Sequence, residues 1–105
     1  MKKLLLLLSL YISTTLIAQI QKVEPAFWWK GMKNPELQIL VYGKEISKYS
    51  VELSNNIQVK DLTKTENPNY VFITVNTDEI NTSSFKINFK EKNKTRYSYN
   101  YELKT

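Results

Sequence analysis

Chemistry near neutral pH needs a base, a nucleophile or a metal held at fixed separation, and this sequence is poor in all three. It contains no histidine and no cysteine. Imidazole base catalysis, thiolate nucleophiles and disulfides are therefore excluded. A zinc site would need an unusual shell built from carboxylates alone, and no cofactor is expected. The carboxylates are Glu24, Glu36, Glu45, Glu52, Asp61, Glu66, Asp78, Glu79, Glu91 and Glu102. Glycoside hydrolysis can run on two of them. Here they fall mostly in turn-like stretches or on the polar positions of alternating runs, where a carboxylate is ordinarily a solvated surface charge. A chain of 105 residues also has little room to wall off a deep cleft beside its core. The chain reads as no enzyme on its own.

The strongest positive feature is Trp28-Trp29, the only two tryptophans. They lie in the stretch Val23 to Gly43, which also holds both glycines and two of the three prolines. Flat indoles can stack on the apolar faces of sugar rings. Neighbouring residues of a strand point to opposite faces. One indole should enter the core while the other is a sugar platform or a contact with an adjoining domain. Domain contact is the better reading for the outward one. Tyr97, Tyr99 and Tyr101 form a second aromatic row, whose alternation favours an inward face.

The elements that would position these side chains are all strands. No window keeps a helical period for three turns, and β-branched and aromatic residues dominate the apolar runs. Gln19 to Lys22 reads as an exposed lead-in. Val23-Glu24-Pro25 suits a short edge strand, since proline lacks the donor of a central one. Phe27-Trp28-Trp29 favours extended backbone, and Gly31 with Asn34-Pro35 marks a turn. Leu37 to Tyr42 is apolar on both faces, which fits a central strand or one covered by a partner. Tyr49, Val51 and Leu53 alternate with polar residues, and Asn55-Asn56 is a turn signal. Ile57 and Val59 open another strand, with Leu62 out of phase and a bulge or strand end near Lys60-Asp61. Thr63 to Asn69 reads as a polar loop. Tyr70 to Val75 is again apolar on both faces. Phe85, Ile87 and Phe89 alternate cleanly, as do Tyr97, Tyr99, Tyr101 and Leu103, so these runs should pair as an antiparallel hairpin around Glu91 to Lys94. About seven strands separated by turns predict an immunoglobulin-like antiparallel β-sandwich.

Residues 1–18 are set apart from that domain. Met1-Lys2-Lys3 is a basic start, Leu4 to Ile12 is largely apolar, and Ser13-Thr14-Thr15 breaks the run before Leu16-Ile17-Ala18. This pattern predicts a secretory signal peptide cleaved after Ala18, leaving a domain over residues 19–105. The run is too short and interrupted for a span of about 20 residues. The expected location is periplasmic or secreted. Without Lys2 and Lys3, 13 of the 15 basic residues face 10 acidic ones, a net of +3 rather than +5. The basic stretch Lys86 to Arg96 then reads as a charged hairpin end, and nucleic acid is not an expected partner.

The run Val23-Glu24-Pro25-Ala26-Phe27-Trp28-Trp29-Lys30-Gly31-Met32, followed by Leu37-Gln38-Ile39-Leu40-Val41-Tyr42-Gly43, closely resembles the start of exported bacterial α-amylase-family glycosidases of the cyclomaltodextrinase and neopullulanase type. Asn67-Pro68-Asn69-Tyr70-Val71-Phe72 and Tyr97-Ser98-Tyr99-Asn100-Tyr101-Glu102-Leu103-Lys104 resemble later segments of the same module. The resemblance spans Ile20 to Lys104. The Glu-Pro-x-Phe-Trp-Trp-x-Gly-Met run is its specific part, with Ala26 where the family often has a second proline. It implies an N-terminal immunoglobulin-like module that precedes an α-amylase-type catalytic barrel. The acid, the nucleophile and any calcium site belong to that barrel, and no position here matches one of them. Phe27, Trp28, Trp29 and Met32 are then the expected contacts with the barrel or with glucan. An α-glucan and a second copy of the chain are the further partners the resemblance implies.

Overall fold

The computed structural model describes residues 20–105, and the expected signal peptide lies outside the described residues. The chain runs β1 (Ile20–Glu24), β2 (Phe27–Trp29), β3 (Glu36–Gly43), β4 (Ser50–Leu53), β5 (Asp61–Lys64), β6 (Tyr70–Asn76), β7 (Ser84–Glu91) and β8 (Lys94–Lys104). Short 3-10 turns at Ile46–Lys48 and Thr77–Glu79 interrupt it. One sheet has the order β1-β3-β6-β5 and the other β2-β8-β7-β4. This is the strand arrangement of an immunoglobulin-like sandwich.

Alternation builds the core. Leu37, Ile39 and Val41 of β3 and Val71, Ile73 and Val75 of β6 are buried on one side. They meet Phe85, Ile87 and Phe89 of β7 and Tyr101 and Leu103 of β8 from the opposite sheet. The β7–β8 hairpin closes through Lys92 and Asn93, both at positive φ. Two left-handed residues make the turn whose twist matches that of the strands it joins. Asn55 and Asn56 are also left-handed, and they turn the chain out of β4. Asn69 ties the far end of β3, accepting at its main-chain oxygen from the Gly43 N–H and at Oδ1 from that of Glu45.

Several details differ from the sequence reading, and one is that Ile20 to Lys22, read as a lead-in, already belong to β1. There are eight strands among the described residues, because β2 is a strand in its own right. It joins β8 in parallel, Phe27 opposite Glu102 and Trp29 opposite Lys104, whereas the other pairings are antiparallel. The strand expected at Ile57 and Val59 forms later, at Asp61–Lys64. Ile57 and Val59 instead cross from one sheet to the other and pack half-buried on the core. Leu62, out of phase with them, is the residue that faces Ile73. Leu62 is half-buried on the core as Ile57 and Val59 are, and it is the one of the three that lies on the ladder with β6.

The expected edge strand at Val23 is present. β1 lies at the rim of its sheet, with Val23 buried opposite Val41. Pro25 follows it, joined by a cis peptide bond to Glu24. Here the chain leaves one sheet and enters the other as β2.

Candidate interaction surface

β2 has three residues and a single neighbour, so each of its side chains has a simple fate. Trp28 lies opposite Leu103 and packs on the core. Phe27 and Trp29 point away from it and are 39% and 44% exposed. Met32, on the turn after β2, is 45% exposed. Among the described residues these three are the large apolar side chains left in solvent.

The strand is well fixed despite its length. The parallel ladder to β8 is extended by the Lys30 N–H donating to the Lys104 carbonyl at 2.8 Å. The Tyr99 hydroxyl reaches the Ala26 carbonyl at 3.4 Å. Gly31 adopts φ +76, a left-handed conformation that suits glycine and lets the chain turn away. The turn then closes at Asn34 and Pro35. Asn34 Oδ1 accepts from the Glu36 N–H at 3.0 Å, and the Pro35 carbonyl accepts from both the N–H and the hydroxyl of Thr77.

The rings form a defined cluster. Phe27 and Trp29 meet edge to face, with centroids 6.1 Å apart and planes at 75°. The Lys104 ammonium rests over them, 4.4 Å from the Phe27 centroid and 6.0 Å from that of Trp29. Sequence reasoning did not single out Lys104. It stands 75 positions from Trp29, and only the parallel register of β2 on β8 brings the two together. Of the four residues expected at a contact site, Phe27 and Trp29 share this cluster, Met32 follows on the turn, and Trp28 packs half-buried against the core.

Elsewhere among the described residues the acidic side chains are surface charges. Glu24, Glu36, Glu45, Glu52 and Glu91 lie in surface ion pairs with Lys22, Lys60, Lys48, Lys90 and Arg96. Among the described residues no three acidic side chains gather as a metal site would require. The hydrogen-bonded contacts with Glu24 and Glu36 raise the Lys22 and Lys60 ammonium pKa values above their ordinary range, although both lysines are exposed. A cleft of about 440 Å³ opens between β1 and β8, lined by Ile20 to Val23 and Tyr97 to Tyr99. It is separate from the exposed rings.

A sequence model of the family described as "Cyclomaltodextrinase, N-terminal" matches residues 22–105. The match begins in β1 and takes in the whole of β2 to β8. The chain belongs to the cyclomaltodextrinase N-terminal domain family. Such a domain is an accessory part of a glycosidase and is associated in full-length proteins with an amylase-type catalytic domain. The family membership makes this an accessory domain of a glycosidase family.

Proposed function

We propose that this cyclomaltodextrinase N-terminal domain is a non-catalytic module that packs on an α-amylase-type barrel through Phe27, Trp29 and Met32. The barrel belongs to an enzyme acting on starch, maltodextrin or cyclomaltodextrin. The observation that carries the reading is the exposure of the Phe27 and Trp29 rings on a firmly held edge strand, with exposed Met32 on the turn that follows it. An exposed aromatic cluster loses little conformational entropy on docking and excludes much water, which is why such rings anchor interfaces. Export is part of the proposal, with the leader removed after Ala18.

The test is direct. The α-amylase-type barrel encoded in the same genome is produced as a separate chain and titrated with the domain. A complex that is lost in the Phe27→Ala, Trp29→Ala double variant supports docking, and a genome without such a barrel sinks it. Terminal sequencing of the product from the native host should find Gln19 first.

A second reading, a free-standing carbohydrate-binding sandwich, is favoured by the exposed Trp29 ring. The Lys104 ammonium competes for the same ring faces, which ranks sugar stacking below protein docking. Titration with maltoheptaose separates the two. Docking expects no change in tryptophan fluorescence, and a saturable change would favour the sugar.

A further inference from the structure

The proposed docking face carries a charge as well as rings. Lys104 has no carboxylate within ion-pair distance among the described residues; Phe27 and Trp29 are the groups its ammonium rests on. By contrast Lys22, Lys60 and Lys90 each hold a carboxylate at 2.7 or 2.8 Å. Lys30 and Lys33 follow β2 in sequence and, like Lys104, form no ion pair among the described residues. Glu102 sits beside Phe27 in the β2–β8 register, and it is not within salt-bridge distance of Lys104.

A cation over aromatic faces is satisfied on the side of the rings. Its remaining N–H groups need water or another acceptor, because an ammonium has three donors and accepts nothing. A partner that covers Phe27 and Trp29 takes that water away. A charge left buried without a partner is among the costliest features an interface can contain. The covering surface must therefore supply an acceptor at this point.

Resting on the docking reading, we propose that the partner surface seated on Phe27 and Trp29 presents a carboxylate to Lys104. The rings provide the apolar contact. The Lys104–carboxylate pair selects the partner and fixes its orientation, as charge pairs do within apolar interfaces. Surfaces that are apolar but lack an acid at that position are rejected.

The experiment measures the affinity of the barrel from the same genome for wild-type domain, Lys104→Met and Lys104→Arg, at low and high salt. Methionine keeps an unbranched stem over the rings and removes the charge. Binding by Lys104→Met should fall at least about tenfold, while Lys104→Arg retains more. The wild-type affinity should fall with added salt more steeply than that of Lys104→Met. Equal denaturation midpoints for the three proteins would show that the fold is not the cause. Wild-type affinity and salt dependence in Lys104→Met would overturn the carboxylate and leave docking standing. No binding by the wild type would overturn the docking reading and the carboxylate with it.

Discussion

Phe85 and Phe89 on β7 and Phe27 and Trp29 on β2 belong to the same sheet and have similar chemistry, yet they end in opposite environments. The two phenylalanines of β7 are 1% and 0% exposed, whereas Phe27 and Trp29 stand 39% and 44% in solvent. β7 is a central strand between β4 and β8, and its apolar residues keep strict alternation, so they all reach one face. β2 is an edge strand whose three residues are all aromatic. Alternation sends the middle residue to one face and its two neighbours to the other, and here Trp28 is the one turned inward. The same residue type therefore builds the fold in one place and leaves an unsatisfied surface in the other. Changing a ring should cost stability on β7 and recognition on β2.

Phe89→Ala is the severest test of that division. It removes a fully buried ring from β7, and substitutions of this kind cost about 3–5 kcal/mol. Small domains without disulfides have little to spare, so the variant should lose its cooperative thermal transition in near-ultraviolet circular dichroism. A transition close to the wild-type one would mean that the β7 face is not the core.

Trp28→Ala comes next. Trp28 is only half-buried against the core, and its loss should cost about 2 kcal/mol from the apolar area returned to water. Urea denaturation measures this. A cost close to zero would place Trp28 with Phe27 and Trp29 as a surface residue and break the contrast within β2.

Much of this contrast was legible in the sequence. Strict alternation in Phe85-Lys86-Ile87-Asn88-Phe89 and in Tyr97 to Leu103 locates the hairpin and its inward face without any knowledge of the partner sheet. Adjacent indoles must part, which foretold that one would be inside. The sequence could not say which one, because that depends on where β2 meets β8. The pairing is parallel and joins residues 75 apart, and no local pattern encodes it. Lys104 was hidden for the same reason. The strand near Ile57 is misplaced because two phases compete there: Ile57, Val59 and Leu62 are all half-buried on the core, and only the ladder with β6 decides that Leu62 is the one on a strand. The four side chains Leu40, Tyr42, Tyr70 and Phe72 on the outer side of β3 and β6 follow the apolar pattern seen on both faces of those runs. They are half-buried against one another, with Tyr42 and Tyr70 centroids 4.8 Å apart.

Tyr101 sharpens the comparison by placing a polar atom inside the core. Its ring is 0% exposed and its hydroxyl finds no hydrogen-bond partner. A buried polar group left unpaired is a net cost, so Tyr101→Phe should stabilise the domain by about 1 kcal/mol in urea denaturation. Burial also pushes the phenol well above the ordinary tyrosine value of 10. Below pH 10 the phenol is protonated in both folded and unfolded chains and has no effect on pH dependence. Above it the unfolded chain releases the proton while the folded one holds it, so unfolding is favoured. Stability should fall as pH rises past 10, and less steeply in Tyr101→Phe. Tyr49, whose pKa is raised by burial and by its hydrogen bond with Tyr97, adds a loss of the same sign. Identical alkaline profiles for the two proteins would mean that Tyr101 is solvated in the folded state.

The smallest expected effect belongs to the exposed rings. Phe27→Ala and Trp29→Ala each remove a ring that makes an edge contact with the other and lies under the Lys104 ammonium. Neither belongs to the buried core. Surface substitutions of this kind usually stay within about 0.5 kcal/mol, so both variants should unfold at nearly the wild-type urea concentration. Trp29→Ala also separates the two indoles. The emission that remains should come from Trp28, shifted to shorter wavelength because that ring is less hydrated. A loss of several kcal/mol in either variant would make β2 a structural strand like β7. The aromatic cluster would then be needed to hold the sandwich together, and its exposure would no longer argue for a partner.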